Sequence, residues 1–515
     1  MRFLALLLVA AAPLAAQNWT IYGGNLGSQR FSPLKQVTAA NVNRLGVNWV
    51  HQTRVEGHYE GTPLFEDGIL YFTGPSGHAF AVDARTGRSL WHYNRPLPEK
   101  MKLCCGTVNR GLALAGDRLF LVTVDAHVLA LDKKTGHLVW DAEMADYKLG
   151  YSATGAPLLV KDKVIVGVGG AEMGTRGFLD AYSIDTGKRA WRFWTTAAPG
   201  EPGGETWTGD AWTWGGGSSW VTGSYDPQLN LVYWGIGNPG PDLNGKIRPG
   251  DNLFTNCVVA LDGDTGKLKW HYQYTPHDTH DWDGVNEPIL ADVTINGVPR
   301  KILMEANRNG FIYGIDRQEG KIVWGHPFVK TTWAEKLDEN GRPMVKPGTD
   351  PTPEGVEACP GLGGGKNWNH AAYSPQTGLF YVPSAEECEI FYSSDAPRLE
   401  GAQWLGSTNE SVPNGKRTGA LRAFDARDGK LVWEFKTIRP ARGSVLTTAG
   451  DLVFLGDGAG YLIAFHARTG KALWRFQLGT GVSAPAMTYE LDGKQYVAVL
   501  AGPSLFTFAL PEASR

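Results

Sequence analysis

Short apolar runs set between turn residues fill most of the chain. DRLFLVTVD (117–125), DKVIVGVGG (162–170), DLVFLGD (451–457) and KQYVAVLAG (494–502) each predict a buried strand bounded by Asp or Gly. Helical periodicity is scarce outside the first residues. One phrase recurs along the chain: AVDARTGRSLW ends at Trp91, ALDKKTGHLVW at Trp140, AYSIDTGKRAW at Trp191 and ALDGDTGKLKW at Trp270. GIDRQEGKIVW ends at Trp324, AFDARDGKLVW at Trp433 and AFHARTGKALW at Trp474, and LGVNWV around Trp49 is a degenerate eighth copy. The common form is a strand, a D-x-x-T-G turn and a second strand ending in Trp. Asp and Thr can bond the turn backbone, Gly can take the left-handed conformation of a tight hairpin, and Trp offers a large apolar face to a neighbouring sheet.

Spacings of about 40–55 residues match four strands per unit, which is the period of propeller blades, and eight copies predict eight blades. The expected fold is therefore an all-β, eight-bladed propeller. Two intervals are longer: 79 residues separate Trp191 from Trp270, and 109 separate Trp324 from Trp433. Surplus length in a repeat fold emerges as loops on one face, so the functional face is expected there.

The chain opens MRFLALLLVAAAPLAAQNWT, with one Arg, an apolar run and small residues near Ala15–Ala16. This is the plan of a secretory signal over residues 1–16, which leaves 17–515 as a single domain. No later stretch approaches the roughly 18 consecutive apolar residues of a membrane span. A net charge of −3 makes no electrostatic case for nucleic acid. The 66 Gly, 30 Pro and 19 Trp fit a fold of many turns and large aromatic anchors.

Cysteines in an oxidising compartment tend to pair. Pairing Cys104 with Cys105 and Cys359 with Cys388 leaves Cys257, in the apolar run NCVVALD, as a buried thiol. The adjacent pair is awkward in either state: reduced, it invites oxidation, and joined, it closes a very small ring that fits disulfide geometry poorly. No CxxCH motif occurs, so a covalently attached c-type haem is excluded.

The tryptophan repeat, CCGTVNRG, GGAEMGTRG, GGGSSW, GNPGP and RPGDN follow one another in an order that resembles the pyrroloquinoline-quinone (PQQ) dependent alcohol dehydrogenases. The resemblance runs over about residues 18–510. It implies a periplasmic propeller that carries PQQ and one metal ion on its axis, oxidises an alcohol to an aldehyde and passes electrons to a soluble cytochrome c. It also implies that Cys104 and Cys105 form a disulfide against one face of the quinone, with Trp220 stacked on the other. Arg110 matches a carboxylate-binding arginine, and guanidinium forks suit the three carboxylates of PQQ. Glu60, Thr154, Gly170 and Ala171 match further cofactor contacts, and Asn367 and Trp368 fall in the segment that approaches its rim. Arg308 matches a basic residue near the quinone oxygens.

Glu172 and Asn238 match two metal ligands of that family, and oxygen donors of this kind suit a hard cation. In TPHDTHDWDGVNE (275–287), Asp281 matches the catalytic base, which also contributes to the metal site, and Asp283 follows two residues later. That second carboxylate resembles the lanthanide-dependent branch, so lanthanide(III) is the expected ion and calcium the alternative. Two departures stand out: His280 replaces an aromatic residue, usually Trp, and IRPARGSVLTTAG lacks a Trp found in methanol-oxidising relatives. Methanol is therefore not assigned as the substrate. The rival readings are a non-catalytic propeller scaffold of the cell envelope and a calcium-dependent sugar or polyol dehydrogenase of the same family.

Overall fold

The computed structural model describes residues 18–512. The expected signal segment, 1–16, lies outside the described residues. Within them the protein is all-β: its helical turns are 3-10 segments of three residues, such as Ala171–Met173, and the rest is strand, turn and loop. Eight sheets contain four or five strands each. A typical one runs as an antiparallel meander through Leu64–Glu66, Ile69–Thr73, His78–Asp83 and Ser89–Asn94. Its middle strands are buried on both faces and read as continuous apolar runs, whereas the last strand alternates exposed and half-buried positions.

The repeat places each Trp in that last strand, and a register shift adjoins the strand at every copy. The extra residue of such a bulge twists the strand and turns the indole towards the neighbouring sheet. There it meets the turn of the next repeat. Trp91 Nε1 donates to Lys133 O at 3.0 Å, and a Cβ on Gly136 would lie 2.7 Å from the Trp91 ring. Gly136 also has φ +71°, so both the backbone and the close approach demand glycine. The N–H contact recurs from Trp49 to Ala84, Trp140 to Ile184, Trp324 to Ala426 and Trp433 to Ala467. Trp191 and Trp270 make the glycine contact, against Gly266 and Gly320, without an N–H partner.

The series closes on itself. Trp474 donates to Leu45 O, and strand Gly46–Gln52 pairs antiparallel with Ser504–Ala509. One sheet thus joins the beginning of the described chain to its end. Within each turn the Asp fixes the geometry: Asp132 Oδ1 accepts from Lys134 N, Thr135 N and Thr135 Oγ1. The longest interval builds two small extra sheets, Ala334–Leu337 with Pro343–Val345, and Val356–Ala358 with Glu389–Phe391 and Asn409–Ser411. Disulfide Cys359–Cys388 ties this excursion together, and Cys257 is a buried free thiol, both as expected.

Candidate active site

The repeat topology explains how residues far apart in sequence meet. Glu60, Arg110, Thr154, Trp220, Asp283 and Trp368 lie three to six residues ahead of the first strand of their sheets, which begin at Leu64, Ala113, Leu158, Ser224, Ile289 and Ala372. Glu172, Asn238 and Arg308 follow the second strands, which end at Gly167, Gly235 and Ala306. In an antiparallel meander the start of the first strand and the end of the second lie at the same edge of the sheet. All nine side chains therefore emerge at one end of the fold.

Two groups form there. In the first, the Arg110 guanidinium lies over the Trp220 ring at 4.6 Å and over Trp368 at 5.1 Å. Its Nη2 is 2.8 Å from Glu60 Oε2, and its Nη1 donates to Thr154 Oγ1 at 2.7 Å. Arg110 Nε is buried without a hydrogen-bond partner, which leaves one donor for an anionic ligand. The adjacent cysteines are joined, and Cys105 Sγ lies 4.0 Å from Glu172 Oε1, so the disulfide borders the second group.

That second group is acidic. Arg308 Nη1 donates to Asp283 Oδ2 at 2.6 Å, and Nη2 donates to Asp281 Oδ2 at 3.1 Å. Trp220 Nε1 also reaches Asp283 Oδ2, at 3.3 Å, and Asn238 N donates to Asp283 Oδ1 at 3.0 Å. The loop is pinned by Asp278, which accepts from His280 N and Trp282 N. This tight path puts Asp281 at φ +58°, a left-handed conformation uncommon outside glycine and tolerated best by Asn and Asp. His280 stacks on Trp282 at 4.2 Å and is bonded to Thr349 O, so the replaced aromatic position still serves packing.

Glu172 sits in the turn Ala171–Met173, entered through Gly170 at φ +116°. A Cβ on Gly170 would come within 2.3 Å of Gly150 O, so only glycine permits this approach. Burial, then the charge of Asp283, raises the pKa of Glu172. Burial raises Asp281 and Asp283 too; the carboxylates repel one another while Arg308 opposes the shift. Arg308 itself would be lowered by burial, but Asp281 and Asp283 hold it above its ordinary value. A largely desolvated cluster of oxygen donors in mutual repulsion is the chemistry a hard cation relieves.

Asn367 differs from its neighbours. Its amide donates to Gly363 O and accepts from Trp368 N, so it shapes its own loop at the rim. In the segment that lacks the expected Trp, Arg442 donates to Gly363 O at 2.7 Å and pairs with Glu387. Sequence reasoning missed Asp242, four residues after Asn238, whose Oδ1 accepts from Asn238 Nδ2 at 2.9 Å. It also missed a wholly buried set below the site: Arg30 bonded to Glu287, with His370 Nδ1 2.7 Å from Glu287 and Nε2 bonded to the Tyr22 hydroxyl.

The sequence profile described as the PQQ "Glucose/ethanol/alcohol dehydrogenase, beta-propeller domain" matches residues 19–336 and 436–497. The chain belongs to the PQQ-dependent alcohol dehydrogenase family. It is 41% identical to quinoprotein alcohol dehydrogenase PedH of Pseudomonas putida, over 97% of this chain and 90% of the relative. It is 38% identical to the lanthanide-dependent methanol dehydrogenase of Methylacidiphilum fumariolicum, over 94% of this chain and 84% of that protein. The solved structure of a europium-containing methanol dehydrogenase superposes with a TM-score of 0.90 at 36% identity, covering 96% of this chain and 98% of that one.

The protein is thus a quinoprotein of the propeller class that oxidises alcohols, and the scaffold reading is set aside. The residues present fit the family's two bound groups. The buried, unpartnered Nε atoms of Arg110 and Arg308 suit the carboxylates and carbonyls of PQQ, and the Glu172, Asp281 and Asp283 oxygens suit a cation. Among the described residues no helix is long and apolar enough to cross a membrane.

Proposed function

We propose that this enzyme is an exported, single-domain, eight-bladed propeller that uses PQQ and a lanthanide(III) ion to oxidise a small alcohol, with a soluble cytochrome c as electron acceptor. The observation that carries the metal reading is Asp283: it is buried two residues from Asp281 and shares Arg308 with it. A trivalent ion favours more anionic oxygen than a divalent one. Eight large sheets with one docked Trp each support the blade count, and the pattern over residues 1–16 supports export to the periplasm.

In this reading Glu172, Asn238, Asp281 and Asp283 hold the ion. Arg110, Glu60, Thr154, the Gly170–Ala171 backbone, Asn367 and Trp368 surround the cofactor, with Cys104–Cys105 and Trp220 on its two faces. When bound, PQQ supplies a two-electron acceptor and the cation a Lewis acid. Asp281 takes the proton of the substrate hydroxyl; its Oδ2 is committed to Arg308, which leaves Oδ1 for that transfer. Arg308 keeps fixed donors beside the reacting centre, where they stabilise developing negative charge. Arg308 is buried, and Asp281 keeps a partly exposed carboxylate beside it, through which a substrate hydroxyl can reach Oδ1.

The test is dye-linked alcohol oxidation by metal-free protein reconstituted with PQQ and either lanthanum or calcium. Turnover with lanthanum alone is expected. Turnover with calcium alone would overturn the lanthanide assignment and favour the calcium-dependent relative.

A further inference from the structure

Asp242 belongs to none of the motifs discussed so far, yet it is only 3% exposed and is joined to the acidic group through Asn238, whose backbone N bonds Asp283. Its Oδ1 accepts from Asn238 Nδ2, and its Oδ2 has no hydrogen-bond partner among the described residues. That bond commits the nitrogen end of the Asn238 amide to Asp242 and leaves Asn238 Oδ1 free as a donor to a cation. The backbone on either side is held firmly. Arg248 Nη2 donates to Pro241 O at 3.0 Å, Leu243 N donates to Leu405 O at 2.8 Å, and Asn244 Nδ2 donates to Ser394 O at 2.8 Å. The anchored backbone on both flanks and the bond from Asn238 Nδ2 together hold this carboxylate beside the cluster. After burial itself, the carboxylates of Asp281 and Glu172 are what most disfavour its ionisation, which places it electrostatically among them.

The charges around the cluster can then be compared. Glu172, Asp242, Asp281 and Asp283 are four carboxylates, and among the described residues Arg308 is the one guanidinium bonded to any of them. Arg110 is offset by Glu60, and Arg248, behind Asp242, has Asp278 as its strongest acidic neighbour. With all four ionised around a bound cation, four negative groups less one positive give a formal charge of −3, which a trivalent ion neutralises. Without Asp242 the same group carries −2, which matches a divalent ion. We propose that Asp242 is a specificity-determining residue: by orienting Asn238 and adding a fourth negative charge, it makes this site select trivalent over divalent cations. The inference rests on reading the cluster as the metal centre.

The test needs neither PQQ nor turnover. Metal-free protein is titrated with terbium(III), read by emission sensitised through Trp220 and its neighbours, with calcium as competitor. Asp242→Asn keeps an oxygen acceptor for Asn238 and removes the charge. It is expected to weaken terbium binding by roughly a thousandfold or more, the scale of one unit charge pair about 4 Å apart at an effective dielectric of about 20. Calcium affinity is expected to fall less, so the terbium-to-calcium ratio narrows. Asp242→Glu restores the charge and is expected to keep the wild-type preference.

An unchanged ratio in Asp242→Asn overturns the role. Equal loss of preference in both variants overturns the charge argument in favour of a shape effect. Wild-type protein that binds neither ion overturns the metal-centre reading itself, a result distinguishable from either. As a check on folding, metal-free Asp242→Asn is expected to melt no lower than wild type, because it relieves repulsion. Its melting temperature is expected to rise less on adding terbium.

Discussion

Arg308 Nη1 donates to Asp283 Oδ2 at 2.6 Å, and both side chains are almost wholly out of water. A second arm of the same guanidinium holds Asp281. One cation therefore restrains two carboxylates, Asp283 buried and Asp281 partly exposed, whose ionisation desolvation and mutual repulsion disfavour. Removing it should leave both charges without a cationic partner, with only Asn238 N and Trp220 Nε1 still donating to Asp283, and breaking a buried ion pair in this way costs about 3–5 kcal/mol. Arg308→Met is expected to lower the melting temperature of metal-free protein markedly. Adding lanthanum should recover much of the loss, since the ion replaces the missing positive charge. Calorimetry with and without metal checks this, and a variant as stable as wild type in the metal-free state would contradict it.

Asp281 sits at φ +58°, and its carboxylate is assigned to proton removal. Asn tolerates left-handed backbone nearly as well as Asp does, so Asp281→Asn preserves the loop while abolishing the base. The expected loss in kcat is about 10²–10⁴, the usual contribution of a positioned general base. PQQ binding, followed by absorbance, should stay within a few fold of wild type, because Arg110, Glu60 and Thr154 are untouched. A parallel collapse of cofactor binding would mean that Asp281 acts through the architecture of the site and not as the base.

The repeat was legible because its period is local: each strand, turn and Trp lies within eleven residues of sequence. What each Trp docks against was not, since the glycine it covers belongs to the next repeat, as with Trp91 and Gly136. The site residues were legible where short motifs carry them, and the structure brings Arg110, Trp220, Glu172, Asp281, Asp283 and Arg308 to one end of the sheets. Asp242 escaped because it lies one residue past GNPGP, where nothing local marks a carboxylate as facing its neighbours. Arg30, Glu287 and His370 escaped for a different reason. Their contacts span 257 and 83 residues of chain, and no periodicity relates them. Asn367, placed near the cofactor by its motif, spends both ends of its amide within its own loop, a detail set by turn geometry.

Gly170 carries Glu172 into the site through a left-handed turn that leaves no room for a side chain. Ala there would place its Cβ 2.3 Å from Gly150 O as well as force an unfavourable φ. Backbone strain of this kind costs about 1–3 kcal/mol. Gly170→Ala is therefore expected to lower stability by that amount and to shift the Glu172 carboxylate. The second effect is the sharper one: metal affinity should fall even at temperatures where the variant remains folded. Terbium titration together with a denaturant curve separates the two effects, and unchanged affinity in a destabilised variant would show that Glu172 keeps its place without Gly170.

The buried set beneath the site makes stability depend on acid in two steps. The pKa of Glu287 falls to about 2: burial works against ionisation, but Arg30 and His370 outweigh it. His370 is lowered to about 4, first by burial and then by the Arg30 charge, although Glu287 opposes the shift. Each group binds fewer protons in the folded protein than in the unfolded chain, so stability rises with pH across the gap between its two values. For His370 the contribution is complete above about 6.5 and is lost as pH falls to about 4; for Glu287 it is complete above about 4.5 and is lost as pH falls to about 2. A gap of about two units corresponds to roughly 3 kcal/mol. Denaturant midpoints measured between pH 7 and pH 4 should therefore carry this falling contribution in wild type, set against the opposite contribution of the raised carboxylates at the acidic group. His370→Gln, which has no proton to gain, should show a flatter slope over that window while still weakening below it through Glu287. An identical slope in the variant would place the upper acid step elsewhere in the molecule.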